Sequence, residues 1–109
     1  MKINFEVVLL DPLGEGPLLT PQKHEPLTLG FACRYALMYG HADQGSTVED
    51  HMKRDELSTK LAGGGIVDLR PEDVEFLKRA LPTGWKISAI VATAVKALVP
   101  VPEVIPLKN

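Results

Sequence analysis

The sequence has few of the features that would assign it to a specialised class. A single cysteine, Cys33, cannot form an intramolecular disulfide, so the chain needs no oxidising compartment. Asp and Glu (14) slightly outnumber Lys and Arg (12), for a formal net charge of −2, and the basic excess typical of nucleic-acid-binding proteins is absent. The longest apolar-rich stretch, residues 87–99, is interrupted by Lys96 and is shorter than the roughly 20 residues of a membrane-spanning helix. An early charged residue, Glu6, predicts no signal peptide. We expect a small acidic cytoplasmic protein without a membrane partner.

The length and composition suit one small globular domain. The chain has 109 residues, of which 45% are hydrophobic and 24% are charged. These are ordinary values for a protein with a packed core. We expect residues 1–98 to form a single domain and residues 99–109, which carry three prolines, to form an extended or polyproline-like tail.

The N-terminal third predicts β structure. Ile3, Phe5, Val7 and Leu9 recur at a period of two, which indicates a half-buried strand over residues 3–10. Residues 11–17 are rich in turn formers, and residues 18–20 suit a return strand that flanking prolines confine to a sheet edge. A strand or a β-hairpin therefore opens the fold.

Four helices are predicted after it. Their proposed bounds are residues 31–40 with Thr28 as N-cap, Ser46 to about Ala62, Pro71–Leu81 and Trp85–Leu98. Ser46 and Glu49 have the spacing of a capping box, and the glycines at 63–65 stop the second helix. On the second helix the expected core contacts are Val48, Met52, Leu57 and Leu61, and the first helix is expected to place Tyr39 on its apolar face. The predicted fold class is α+β: an N-terminal strand or β-hairpin, about four short helices and an extended Pro-rich C-terminal tail.

No arrangement in the sequence marks a catalytic, cofactor or metal site. The glycines at 63–65 lack the spacing of phosphate-binding loops. Cys33 could pair with a histidine as a nucleophile, but among apolar neighbours a free cysteine is more often a small buried hydrophobe. A polar segment could supply metal ligands, but without a compact ligand pair: His41, Asp43, Glu49, Asp50 and His51. We predict no catalytic residue, no cofactor and no metal.

A small basic patch is the main alternative to a protein partner. It would be formed by Lys53, Arg54, Lys60, Lys78 and Arg79. Acidic neighbours cancel most of this charge, and no aromatic side chains alternate with the basic residues to stack on bases. Nucleic-acid binding is therefore the second hypothesis, and a small enzyme or ligand binder is the third.

The C-terminal part has more apolar side chains than a small domain readily covers. These side chains either complete the core or contact another subunit or partner. The residues predicted for such an interaction are Trp85, Ile87, Ile90, Val91, Val95, Leu98, Val101, Val104, Ile105 and Leu107.

Two short segments carry a resemblance. The first is Leu27-Thr28-Leu29-Gly30, which opens a helix, and the second is Val67-Asp68-Leu69-Arg70-Pro71-Glu72-Asp73, which leads into another. Because these two segments occur in this order, the chain resembles small bacteriophage and prophage proteins of about the same length, over residues 3–98. Relative to those proteins, residues 11–25 form an insertion. The group has no assigned activity, so the resemblance transfers no functional residue. It implies a phage origin and work by protein–protein contact, in virion assembly or on a host protein, with self-association as one form. The expected location is the host cytoplasm or the virion.

Overall fold

The described part of the chain combines four helices with a two-stranded sheet. The computed structural model describes residues 1–14, 16–40 and 47–101. The elements are β1 (Lys2–Asn4), α1 (Leu29–Tyr39), α2 (Val48–Leu61), β2 (Ile66–Asp68), α3 (Pro71–Gly84) and α4 (Ser88–Ala97). The predicted α+β class with four helices is confirmed.

The sheet is formed by segments far apart in the sequence. β1 pairs antiparallel with β2, and Ile3 lies opposite Val67. Ile3 is fully buried. The predicted strand over residues 3–10 is therefore too long, because the chain turns at Phe5 and Glu6 directly after β1. Val7, which a continuous strand would bury with Ile3, is 41% exposed.

Residues 7–14 and 16–29 form a module whose centre is a cyclic set of backbone hydrogen bonds, here called the leucine triangle. Leu9 donates its N–H to the carbonyl of Leu27 at 2.8 Å, Leu18 donates to Leu9 at 2.8 Å, and Leu27 donates to Leu18 at 2.7 Å. Each segment therefore pairs with the other two. Leu9 and Leu27 are buried, so the triangle also extends the core.

A nine-residue repeat underlies this module. Leu9, Leu18 and Leu27 are nine residues apart, and prolines precede the second and third of them, at Pro17 and Pro26. The bonds follow the same step: Asp11 donates to the Gly16 carbonyl at 2.8 Å, and Thr20 donates to the Glu25 carbonyl at 2.8 Å. The antiparallel bridges Leu10 to Pro17 and Leu19 to Pro26 repeat it again. Two equivalent turns therefore close the leucine triangle.

Helix α1 is the centre of the helical part, in contact with α2, α3 and α4. It approaches α3 closely where Ala36 meets Gly84, because a Cβ atom on Gly84 would lie 2.6 Å from the Ala36 Cα. The core around α1 also includes side chains from β1, from residues next to the two strands, and from the other helices and their ends. They are Ile3, Phe5, Leu57, Leu61, Leu69, Val74, Leu77, Ala80, Leu81, Trp85, Ile90, Ala94 and Leu98.

Several predicted helix ends shift. The Thr28 cap of α1 is confirmed, since its Oγ1 accepts from the N–H of Phe31 at 3.1 Å. At α2 the capping box is made by Thr47 and Asp50, one residue after the predicted Ser46, which lies outside the described residues. Helix α3 continues through Pro82 to Gly84. Helix α4 begins at Ser88 and leaves Trp85 in extended backbone.

Two of the predicted core contacts of α2 are wrong. Leu57 and Leu61 are buried, but Val48 is 71% exposed and Met52 is 66% exposed. The first half of α2 therefore packs less closely on the core than the second half. The three glycines do end the helix as predicted: the N–H of Gly64 bonds to the Leu61 carbonyl at 3.1 Å, and Gly64 and Gly65 have positive φ.

Candidate functional site: an aromatic groove on helix α1

The N-terminus of α1 is fixed against the first segment of the chain. Gly30 donates its N–H to the carbonyl of Phe5 at 2.8 Å, and Leu29 donates to Val7 at 2.9 Å. A Cβ atom at position 30 would lie 3.0 Å from the Phe5 oxygen and 3.3 Å from the Phe5 Cβ, so a larger residue would force the two segments slightly apart and glycine is favoured. This contact gives the glycine of the Leu-Thr-Leu-Gly step a structural role at the start of α1.

Three aromatic side chains follow each other along one face of α1 and are here called the aromatic row. They are Phe31, Tyr35 and Tyr39, spaced four residues apart, which places them on neighbouring helical turns. The ring centroids of Phe31 and Tyr35 are 6.2 Å apart, and those of Tyr35 and Tyr39 are 5.2 Å apart. Phe31 is 45% exposed and Tyr39 is 66% exposed. The prediction that Tyr39 faces the core is therefore wrong.

Trp85 supports the aromatic row from the core. Its ring centroid lies 4.6 Å from that of Tyr35 and 6.5 Å from that of Phe31. The indole Nε1 donates to the carbonyl of Ala32 at 2.9 Å within the core. A buried indole whose N–H is bonded has a fixed orientation. The row is therefore held by a rigid aromatic base rather than by loop contacts alone.

The second turn of the nine-residue repeat forms the opposite wall. Thr20 is buried and binds Glu25 twice: its N–H donates to the Glu25 carbonyl at 2.8 Å, and its Oγ1 accepts from the Glu25 N–H at 3.2 Å. Between this wall and the aromatic row lies an open groove of about 710 Å³. We call it the aromatic groove; its lining residues are Thr20, Pro21, Gln22, Lys23, Glu25, Phe31, Tyr35 and Tyr39.

The chemistry of the aromatic groove suits an apolar or proline-containing chain segment. Aromatic faces bury a large area at a low cost in side-chain entropy, and the two tyrosines add hydroxyl groups for hydrogen bonds. Lys23 and Glu25 place one charge of each sign at the rim. The groove offers binding surface, and none of its lining residues within the described part of the chain carries a thiol or an imidazole.

A second, smaller cavity of about 430 Å³ lies between α1 and α2. Arg54 in its lining donates to the carbonyls of Ala36 at 3.0 Å and Leu37 at 3.4 Å. The guanidinium therefore caps the C-terminal end of α1, which is where a positive charge is favoured. This cavity is explained by helix packing.

Cys33 is not positioned as a nucleophile. Its side chain is fully buried in the core. Burial raises the pKa of the thiol to about 12, because the thiolate would lose its hydration. The hypothesis of an enzyme built on Cys33 therefore has no support from the geometry.

The predicted basic patch is divided among contacts within the chain. Lys53 forms an ion pair with the buried carboxylate of Asp73, and Lys60 lies 4.0 Å from the same carboxylate. Lys78 pairs with Glu75 at 3.5 Å, and Arg79 lies over the ring of Phe76 at 5.7 Å. With Arg54 at the end of α1, each of the five predicted cations has an acid, carbonyl or ring of its own chain as neighbour.

Asp73 is a buried charge that sequence reasoning treated only as a helix-start residue. Its side chain is fully buried and connects α2 with α3 through Lys53. The Oδ2 atom accepts from the backbone N–H of Arg70 at 3.2 Å. Burial alone would raise the pKa of this carboxyl, but the hydrogen bonds from Lys53 and Arg70 and their positive charges outweigh it, so the pKa is lowered.

The predicted interaction residues are separated by the structure. Trp85, Ile90 and Leu98 are buried in the chain's own core, so they offer no free surface here. Ile87 is 55% exposed, and Val91, Val95 and Val101 are half-buried. Val104, Ile105 and Leu107 lie outside the described residues. An interaction role for the second and third groups stays a prediction.

The spacing of the aromatic residues in the sequence is a signal for the aromatic row. Half of the chain's six aromatic residues fall at positions 31, 35 and 39, along the edge of the face that carries the buried Ala32, Cys33 and Ala36. Because these positions border the apolar face of the helix and do not lie at its centre, their spacing predicts a partly exposed aromatic stripe.

Comparison of this chain with protein-family models, with curated proteins and with solved structures found no match. Among the described residues, none of the helices is long and apolar enough to cross a membrane. The same residues contain no group of three or more His, Cys, Asp or Glu side chains that could hold a metal ion.

Proposed function

We propose that this chain is a non-enzymatic phage or prophage protein that acts through contacts with other proteins. The proposed setting is virion assembly or the binding of a host protein, with self-association into a homo-oligomer as one form of contact. The proposal of a phage origin rests on the resemblance over residues 3–98, which is carried by Leu27-Thr28-Leu29-Gly30 and by Val67-Asp68-Leu69-Arg70-Pro71-Glu72-Asp73.

One observation carries the contact function: the exposed aromatic row above the buried Trp85. Large aromatic side chains dominate the energy of many interfaces and are enriched among interface residues. Here they are pre-ordered by the helix, by each other and by the Trp85 indole. A rigid surface loses little conformational entropy on binding.

The test is affinity capture with matched variants. The full chain, the double variant Phe31→Ser/Tyr39→Ser and the control Met52→Ser are used as bait against a lysate of phage-infected or lysogenic cells. Met52 is 66% exposed on α2 and outside the aromatic groove, so it matches Tyr39 in exposure. We expect a partner that the full chain and the control retain and that the double variant loses.

The same three proteins are compared by sedimentation velocity to detect self-association. If neither assay shows a contact that depends on Phe31 and Tyr39, the proposed role of the aromatic row is wrong. Circular dichroism on each variant separates loss of binding from loss of folding.

The nucleic-acid alternative receives no comparable support. Lys53, the central cation of the predicted patch, is used in the ion pair with Asp73. Phosphate binding there would have to compete with a buried carboxylate. A gel shift at low salt, where phosphate contacts are strongest, remains its direct test.

A further inference from the structure

The aromatic groove has the dimensions to take a short proline-containing segment. Residues 31 and 39 are eight positions apart on a helix, which corresponds to about 12 Å at 1.5 Å per residue. In polyproline II backbone, four residues span about 12 Å at 3.1 Å each. Two prolines four positions apart would therefore coincide with the two ends of the aromatic row, and aromatic-lined grooves are a known mode of proline recognition.

The chain itself contains a segment with that spacing. Pro102 and Pro106 are four positions apart, with Glu103 between them and Lys108 shortly after. The rim of the aromatic groove carries the complementary pair, Lys23 and Glu25. Spacing and charge thus agree between this segment and this groove.

The first residue of the tail shows which copy can supply the segment. Val101 donates its N–H to the carbonyl of Lys2 at 2.7 Å, beside β1. Neither Val101 nor Lys2 lines the aromatic groove. Since adjacent residues are 3.8 Å apart, a chain that placed residue 102 in its own groove would need Val101 beside that groove, whereas Val101 is bonded to Lys2 at β1.

From these observations we propose that the aromatic groove binds residues 102–109 of a second copy of this chain, so that two copies exchange their proline-containing tails. This inference rests on the proposed contact function and names its partner. A reciprocal exchange gives a closed two-fold dimer with two identical tail–groove contacts. Pro102 lies against one end of the aromatic row and Pro106 against the other.

The test uses the full chain and variants on both sides of the contact. Sedimentation equilibrium is measured for the unchanged protein, for Tyr39→Ser in the groove, for Pro102→Gly/Pro106→Gly in the tail and for the control Met52→Ser. We expect the unchanged chain and the control to dimerise with similar Kd values. Each of the two contact variants should have a Kd weaker by tenfold or more, since hot-spot truncations commonly cost at least that much.

Mixing provides the decisive experiment. Tyr39→Ser retains a normal tail, and Pro102→Gly/Pro106→Gly retains a normal groove, so one heterodimer contact is intact. An equimolar mixture should dimerise more strongly than either variant alone. The tail variant carries no change within the described core, which keeps the test valid if Tyr39→Ser lowers stability.

Two results would overturn the inference. One is a protein that stays monomeric throughout the concentration range; the other is a mixture no stronger than its components. Neither result would contradict the proposed contact function, because a monomer can still capture a different protein through Phe31 and Tyr39.

Discussion

Replacement of Asp73 by asparagine tests how much the ion pair between Lys53 and the buried Asp73 carboxylate contributes to the stability of the fold. The substitution keeps the size of the side chain but removes the negative charge that faces Lys53. A hydrogen bond to a charged group contributes about 1.5–3 kcal/mol, and breaking a buried ion pair costs about 3–5 kcal/mol. The Lys53 side chain is 22% exposed, so its ammonium group can reach water when the carboxylate is removed. We therefore expect Asp73→Asn to lower the free energy of unfolding by about 2–3 kcal/mol, the lower end of these ranges.

The assay is urea unfolding followed by circular dichroism, with Glu72→Gln as the control. Glu72 occupies the same first turn of α3, but its side chain is 63% exposed and pairs with Arg70 at 3.4 Å. An exposed ion pair contributes about 0–1 kcal/mol. A comparison of the two variants therefore separates a buried charge from a general effect of negative charge near the helix N-terminus.

The pH dependence gives a second, independent readout. The folded-state pKa of Asp73 is lowered from its ordinary value of 3.8, so its contribution to the free energy of unfolding is fully present above that value. It is lost as the pH falls through the lower folded-state pKa. The difference between the unchanged protein and Asp73→Asn should shrink in that range. Equal effects of Asp73→Asn and Glu72→Gln at pH 7, or a difference that persists unchanged in acid, would refute the reasoning.

Three further predictions follow from contacts around α1. Gly84→Ala should cost about 1–3 kcal/mol by overpacking, because its Cβ would lie 2.6 Å from the Ala36 Cα, whereas Gly63→Ala has no neighbour within 4 Å and should be close to neutral in thermal unfolding. The buried Cys33, with its pKa raised to about 12, should resist iodoacetamide at pH 8 in the native protein and react in denaturant; rapid native labelling would contradict its burial. Thr28→Ala should lose the cap of α1 and about 1 kcal/mol in urea unfolding, and no loss would mean that water replaces the hydroxyl.

Helices were predictable here because their signals are local. Thr28 caps α1 as its sequence position suggests, and Pro71 with Glu72 begins α3. Pro82 does not mark the end of α3, because residues that follow it make the hydrogen bonds of the last helical turn. Thr83 Oγ1 donates to the Ala80 carbonyl, and the Trp85 N–H donates to Leu81 at 3.2 Å. Trp85 then leaves the helix so that its indole reaches Ala32.

Burial on α2 was predicted less well, because it depends on what lies opposite each residue. Val48 and Met52 have the spacing of core positions, yet both are exposed, while Leu57 and Leu61 on the same helix are buried. Hydrophobic periodicity defines a face but not how far along the helix a neighbour covers it. The Lys53–Asp73 pair shows the same limit, since its partners are twenty residues apart and no local pattern links them.

The sequence did not predict the aromatic groove, because neither of its two walls has a binding motif of its own. Residues 11–25 have the composition of an irregular loop and show no sustained helical or strand periodicity. Their order comes from the step of nine residues, through which Asp11 and Thr20 make equivalent bonds and Leu9, Leu18 and Leu27 close on one another. The second turn of that repeat is the wall that faces Phe31, Tyr35 and Tyr39. A segment with the composition of a connecting loop thus turns the aromatic stripe of α1 into a groove, and the candidate binding surface lies on α1 rather than on α4.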